Sequence, residues 1–247
     1  MGDYQAGYGS SADWPVAEAV AASSCFPPVF GPLPIRFPPD ALRGGAFRDE
    51  AGNAESRDRL VARIQLTDGG VYDNLGLEPV WGDESPPMLL VSDGGGRLWP
   101  DPVQGGLRRL TRYTAIIQNQ VVALRKRWLI DAFKAGTAKG AYWGIASAVE
   151  RYGLQGATGY SKELASTRIA TVRTDLDAFM PDEFEILENH GYLLADAAVR
   201  KHCPALIEPA VSPPRIPNPE WMDEGKVQTA LRDSHRRFSI RRWWKGR

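Results

Sequence analysis

The residues best suited to chemistry in this chain are an aspartate and the two glycines that follow it. Residues 66–76 have the sequence LTDGGVYDNLG, so Asp68 follows a short alternation of apolar and polar residues and precedes Gly69 and Gly70. A carboxylate at the carboxyl end of a strand lies where α/β proteins keep their ligand sites. Glycines there permit a tight turn and the close approach of a substrate. The same tripeptide is common in plain turns, and the pattern alone leaves both interpretations open.

A second segment gives the Asp-Gly-Gly motif a context. Residues 19–30 have the sequence AVAASSCFPPVF, an Ala/Ser-rich stretch that ends at two prolines. These two segments, in this order, resemble the patatin-like phospholipases over about residues 14–95, with a weaker likeness that continues to His202. The resemblance implies an α/β, patatin-like three-layer fold with a largely parallel sheet. It also implies a hydrolase of lipid acyl esters that needs no cofactor.

The resemblance assigns roles to individual residues. Asp68 would be the proton acceptor of a Ser-Asp dyad, and Gly69, Gly70 and Asn74 would shape the turn that holds it. The serine of such a dyad stands in a Gly-x-Ser-x-Gly elbow between a strand and a helix. Backbone amides of a glycine-rich loop nearer the N-terminus would stabilise the oxyanion.

The chain departs from the family pattern at the nucleophile. No serine stands in Gly-x-Ser-x-Gly, and both Ser11 and Ser161 lack the second glycine. The glycine run 94–96 follows Asp68, so we interpret it as a turn at a strand end and not as the oxyanion loop. We therefore expect residues 1–208 to be the C-terminal portion of a patatin-like domain, N-terminally incomplete and inactive alone. The alternative is a non-catalytic, patatin-related module that binds lipid or associates with a membrane.

Other candidate residues have simpler explanations. Asp93 ends a second apolar run and is the rival carboxylate, but no Asn-Leu-Gly follows it, so we predict a structural role. Cys25 stands among small residues and is predicted to pack as a small apolar side chain. His190 is predicted to pack within a helix, and His202 to place a charge at a helix C-terminus. His235 is predicted to be a surface residue. We predict no metal site, because their spacing lacks a His-x-x-x-His pair.

The C-terminal segment, residues 209–247, is proline-rich and then basic. Residues 231–247 hold seven basic residues against one acidic residue, with aromatic residues among them. This combination suits an anionic membrane surface, and a solvated tail is an equally good interpretation. The residues expected to make the peripheral contact are Arg236, Arg237, Arg241, Arg242, Trp243 and Trp244.

Overall charge and the N-terminus limit the function classes. The chain has 30 basic and 30 acidic residues, so nucleic acid is not expected as a partner, and DNA binding through the tail is the third alternative. The first residues lack the basic and apolar regions of a signal peptide. No apolar run approaches the roughly 18 residues of a membrane span. We expect a cytoplasmic location with peripheral membrane contact and a lipid or phospholipid ester as substrate.

Apolar periodicity predicts the elements that position these residues. Strands alternating with helices indicate α/β architecture. Helices are predicted over residues 14–22, about 103–133 and 184–202, strands over 62–67, 88–92 and 168–173, and irregular structure over 31–55. The unbroken apolar run 88–92 predicts a strand buried on both faces. The long helix should bury the face that carries Ile116, Ile117, Val121, Leu124 and Trp128.

Overall fold

The computed structural model describes residues 2–10, 12–27, 30–38, 40–47, 55–81, 88–96, 98, 105–174, 178–208 and 214–236. These residues form a mixture of helices and strands with one small parallel sheet. The chain divides into two compact units, Met1–Gly76 with Pro102–Val122, and Leu77–Asp101 with Ala123–Arg247. Asp68 belongs to the first unit and Asp93 to the second.

The first unit is built from short elements around a small core. Its elements are β1 (Gly2–Asp3), β2 (Gly7–Tyr8), α1 (Val16–Ser23), β3 (Leu33–Ile35), β4 (Arg43–Gly44), α2 (Glu55–Val61), β5 (Ile64–Leu66), α3 (Gly70–Asp73) and the start of α4 (Leu107–Ala135). Strands β1, β2 and β4 form an antiparallel sheet, and β3 pairs antiparallel with β5. Ala6, Leu42 and Val61 form its buried cluster.

The second unit contains the parallel strands and the larger core. Its elements are a 3₁₀ helix (Glu78–Val80), β6 (Leu89–Asp93), the end of α4, β7 (Gly140–Gly144), α5 (Lys162–Thr167), α6 (Pro181–His202), α7 (Glu224–Ala230) and further 3₁₀ helices at Val149–Tyr152, Ile169–Thr171, Pro204–Leu206, Pro219–Trp221 and Leu231–Asp233. Strands β6 and β7 pair in parallel from Leu89 opposite Gly140 to Asp93 opposite Gly144. Helix α6 packs on β7, because Leu193, Leu194 and Ala197 share a buried cluster with Ala141.

A buried ion pair joins the start of α6 to the end of the described chain. Both carboxylate oxygens of Glu183 accept hydrogen bonds of 2.7 Å from Arg173, whose backbone N–H bonds the Ser234 carbonyl at 2.9 Å. Burial alone would raise the pKa of Glu183, but hydrogen bonds from Arg173, Ser234 and the Met180 N–H outweigh burial and lower it. Through these bonds, Arg173 and Glu183 together hold Ser234, which lies within the basic segment 231–247.

The three predicted helices are confirmed as α1, α4 and α6, and two of the three predicted strands as β5 and β6. The strand predicted over 168–173 is wrong, since Ile169–Thr171 forms a 3₁₀ helix. The Thr171 hydroxyl donates to the carbonyls of Arg168 and Thr167, which favours a helical turn. The prediction of irregular structure over 31–55 also fails at β3, which pairs with β5 despite Pro34.

Burial of the predicted apolar faces is incomplete. Leu90 is 48% exposed, so β6 is not buried on both faces as its sequence predicts. Ile116, Ile117, Leu124 and Trp128 on α4 are also exposed. The sheet is predicted to be largely parallel, but only β6 and β7 pair in parallel among the described strands, and the other described sheets are antiparallel. The two faces of β6 differ, because Leu89, Val91 and Asp93 are buried on one face whereas Leu90 and Ser92 are exposed on the other.

Candidate functional site

Asp68 lies just beyond the end of β5, where it contacts the end of α1. Its backbone N–H donates to the Cys25 carbonyl at 3.0 Å, and the Thr67 hydroxyl donates to the same oxygen at 3.0 Å. The chain ends α1 before the prolines at 27 and 28, because proline cannot continue a helix. The two sequence segments on which the resemblance depends are therefore in direct contact.

The carboxylate of Asp68 is held from one side. Its Oδ1 accepts the Gly70 N–H at 2.6 Å, while the Asp68 carbonyl accepts the Val71 N–H at 3.2 Å. Within the described part of the chain, no group donates to Oδ2, and the residue is only half-buried. This arrangement fixes the direction of the carboxylate and leaves one oxygen able to accept a proton.

The glycines and Asn74 fit tightly around this carboxylate. A Cβ on Gly70 would lie 2.5 Å from Asn74 Oδ1 and 2.9 Å from Asp68 Oδ1, so a side chain there would displace both groups. A Cβ on Gly69 would meet only the Ser23 hydroxyl, at 3.4 Å, which is an ordinary contact. Gly76, with a φ of 61°, closes the segment in the left-handed region that favours glycine.

Ser23 is a neighbour of the Asp68 turn that the sequence analysis did not single out. It is exposed at the last position of α1, and its hydroxyl lies beside Gly69. Ser23 does not stand in Gly-x-Ser-x-Gly, since Ala21 and Cys25 occupy the positions of the two glycines. The signal that could have found it is its place in the Ala/Ser-rich segment of the resemblance.

Asp93 has a different environment, at the carboxyl end of β6. Its Oδ1 accepts the Gly95 N–H at 3.0 Å, as predicted for a turn-stabilising carboxylate. Its Oδ2 accepts the Tyr142 hydroxyl at 2.6 Å and the Lys126 ammonium at 3.4 Å. The Lys126 nitrogen also lies 4.7 Å from the centre of the Tyr142 ring. Sequence reasoning missed Tyr142 and Lys126, which lie far from Asp93 along the chain.

The phenol of Tyr142 is kept neutral by this environment. Burial raises its pKa most, and the hydrogen bond to Asp93 and the negative charge of that carboxylate raise it further. A neutral phenol donates its proton to Asp93, whereas a phenolate would repel it. The Asp93 cluster is therefore a stabilising network in which every member is paired.

Ser161 and His190, two of the rejected candidates, have structural contacts. Ser161 caps α5 by accepting the Leu164 N–H at 3.3 Å, and its hydroxyl donates to Glu224 at 2.8 Å. His190 is buried with Nε2 2.8 Å from the Ile145 carbonyl, and burial lowers its pKa. Ser11 lies outside the described residues. The described part of the chain holds no group of three metal-ligating side chains.

The basic segment 231–247 is described only as far as Arg236. Arg236 is described, and its guanidinium lies 3.1 Å from Asp233. The other five residues of the predicted contact lie outside the described residues: Arg237, Arg241, Arg242, Trp243 and Trp244. Among the described helices, none is both long and apolar enough to cross a membrane.

The position of Asp68 is determined by its two contacting segments and by the geometry of its turn. The hydrogen bonds of Asp68 with Cys25 and Gly70 are seen in this chain itself and are not inferred from another protein. Comparison with known proteins finds no matching family model, no matching curated protein and no matching solved structure.

Proposed function

We propose that this chain is the aspartate-bearing part of a patatin-like serine hydrolase of lipid acyl esters. The observation that carries the proposal is the turn after β5, where the Gly70 N–H holds Asp68 Oδ1 and leaves Oδ2 open. The contact of Thr67 and Asp68 with Cys25 adds support, because it joins the two segments that resemble the family.

In this proposal a serine from outside the 247 residues is the nucleophile. Asp68 accepts its proton as the serine oxygen attacks the ester carbonyl and a serine acyl ester forms. Asp68 returns the proton to the departing alcohol. Water then attacks the acyl ester by the same route, which releases the fatty acid and restores the serine. The reaction needs no metal or organic cofactor.

The reading frame upstream of Met1 and a labelling experiment test the proposal. The frame should encode Gly-x-Ser-x-Gly, and the extended protein should hydrolyse a short-chain ester and bind a fluorophosphonate at that serine. The 247-residue chain alone should show no turnover above background. Saturable turnover by the chain alone, with labelling at Ser11, Ser23 or Ser161, would show that the nucleophile lies within it.

The alternative function, a non-catalytic lipid-binding or membrane-associated module, is favoured by the tail. Seven basic residues against one acidic residue over 231–247, with Phe238, Trp243 and Trp244 among them, suit an anionic lipid surface. The chain should then sediment with anionic vesicles and not with neutral ones, and deletion of residues 237–247 should abolish binding. Equal binding by the shortened chain would exclude the tail as the anchor.

A further inference from the structure

Helix α4 has an exposed apolar face in the part that belongs to the first unit, which ends at Val122. Residues three, four and seven positions apart lie on the same face of a helix. The opposite face is partly covered, since Thr114, Ala115 and Gln118 are half-buried. We define the outer face of α4 as four large side chains with this spacing that are 37–61% exposed: Leu110, Tyr113, Ile116 and Ile117.

Positive charge accompanies the outer face and is not balanced within this part of the helix. Residues 107–122 include three arginines, at positions 108, 109 and 112, and no acidic residue. Arg109 lies one turn before Tyr113, and Arg112 lies one turn before Ile116, so both border the outer face. Neither guanidinium forms an ion pair with another described residue. The outer face therefore combines apolar side chains with cations that are available to an anionic partner.

We propose that the outer face of α4 binds an anionic lipid surface, with the helix axis parallel to the bilayer. Helices that bind in this way place apolar side chains at the boundary of the acyl chains and basic side chains against the lipid phosphates. Leu110, Ile116 and Ile117 supply the apolar part. Tyr113 suits the boundary itself, because its ring is apolar and its hydroxyl is polar.

Charge complementarity favours lipid over a second protein surface as the occupant. A protein packed on the outer face would have to bury Arg109 and Arg112 or supply a carboxylate for each, because an unpaired buried charge is costly. An anionic bilayer supplies phosphates next to an apolar interior over its whole area. The contact does not depend on the proposed hydrolase activity. The part of the domain that this activity places upstream of Met1 is a rival occupant.

Co-sedimentation of the full chain with vesicles tests the contact without any measurement of turnover. We expect binding to vesicles that contain phosphatidylserine and little binding to phosphatidylcholine alone. Arg109→Gln together with Arg112→Gln should weaken binding roughly 30-fold, since each cation contributes about five-fold. Arg36→Gln together with Arg63→Gln is the matched control, because it removes the same charge from exposed positions of the first unit outside α4. Equal weakening by both pairs would overturn the proposal, because net charge alone would then attract the chain.

A chain that ends at Arg236 separates the outer face of α4 from the tail. It should still bind vesicles that contain phosphatidylserine, and Arg109→Gln together with Arg112→Gln should weaken that binding by the same factor. Loss of all binding on removal of residues 237–247 would assign the contact to the tail and would contradict the proposal.

A fluorescent dye that reports on apolar surroundings identifies the occupant. In a Cys25→Ser background, Ile117→Cys carries the dye on the outer face, and Gln65→Cys carries it at an exposed position of β5 as the control. We expect a blue shift for Ile117→Cys alone, and only with anionic vesicles. A shift without vesicles that grows with chain concentration would show that a second copy covers the face. Loss of the vesicle-dependent shift in the protein extended upstream of Met1 would show that the upstream part covers it. Either result would overturn the proposal.

Discussion

The turns after β5 and β6 have the same local design and different surroundings. In each, an aspartate Oδ1 accepts the N–H of the glycine two positions later, at 2.6 Å for Asp68 and 3.0 Å for Asp93. Asp68 Oδ2 has no donor among the described residues and is half-buried. Asp93 is only 9% exposed, and its Oδ2 accepts bonds from Tyr142 and Lys126.

The difference shows what the Asp-Gly-Gly sequence does and does not determine. The short side chain and the glycines determine the turn, because the carboxylate bonds an amide of its own segment. The role of the carboxylate depends on the second oxygen. An oxygen that is open to solvent can accept a proton from a substrate or a nucleophile. An oxygen that accepts bonds from a phenol and an ammonium group stabilises the fold.

The largest expected effect is on catalysis, in a protein that includes the upstream segment. Asp68→Asn should lower kcat about 10²–10⁴-fold, because the amide cannot accept the serine proton. The amide oxygen still accepts the Gly70 N–H, so the free energy of unfolding should change by less than about 0.5 kcal/mol. Ester hydrolysis and urea unfolding of the same preparation measure both quantities.

Asp93→Asn is the matched control and should show the opposite pattern. The variant places an amide N–H₂ or a neutral oxygen against Lys126 and Tyr142, which weakens the bonds to Oδ2. We expect a loss of about 1–3 kcal/mol in the free energy of unfolding and a kcat close to that of the wild type. A normal kcat in Asp68→Asn together with a lost kcat in a stable Asp93→Asn would move the proton acceptor to Asp93.

Alanine substitution at each of the two glycines after Asp68 tests how much space the turn leaves for a Cβ atom. Gly70→Ala forces a Cβ against Asn74 and Asp68, so we expect a loss of about 1–3 kcal/mol. Gly69→Ala meets only an ordinary contact at 3.4 Å with Ser23, and Gly69 has a φ of −62° that alanine adopts freely. It should be neutral or stabilising by up to about 1 kcal/mol. Urea unfolding of both variants decides this, and equal losses would contradict the fit around Asp68.

The predictable part of the fold is local in sequence. Apolar periodicity predicts α1, α4, α6, β5 and β6, because each element repeats its pattern within its own length. It cannot predict that Pro34 stands in a strand, because the pairing of β3 with β5 comes from the folded chain. Nor can it predict which face is covered, as the exposed Leu90 shows.

The candidate site, like the fold, has a part that is local in sequence and predictable and a part that is neither. Asp68, Gly69, Gly70 and Asn74 are contiguous enough for a motif to identify them, and their turn depends on bonds within the motif. The partners of Asp93 are not identifiable, because Tyr142 lies 49 residues away along the chain. β7, which carries Tyr142, has the sequence GAYWG and shows no clear alternation. Pairing of β6 with β7 in the folded chain brings the phenol to the carboxylate.

The smallest expected effect comes from removing the phenol that distinguishes the two turns. Tyr142→Phe takes away one hydrogen bond and leaves Asp93 bonded to Gly95 and Lys126. Near pH 8 we expect a loss of about 1 kcal/mol in the free energy of unfolding. Tyr152→Phe is a suitable control, because its hydroxyl bonds the Tyr142 carbonyl and does not contact Asp93.

The pH dependence of this loss tests whether the folded chain retains the phenolic proton of Tyr142. Burial and the bond to Asp93 raise the pKa of Tyr142 in the folded chain, whereas an unfolded tyrosine titrates near about pH 10. Above that pH the unfolded chain has released the phenolic proton and the folded chain retains it, so wild-type stability falls as pH rises. Tyr142→Phe lacks this loss, so its deficit should shrink when urea unfolding is repeated above about pH 10. A deficit of the same size at both pH values would mean that the folded and unfolded chains release this phenolic proton alike, and it would contradict the raised pKa of Tyr142.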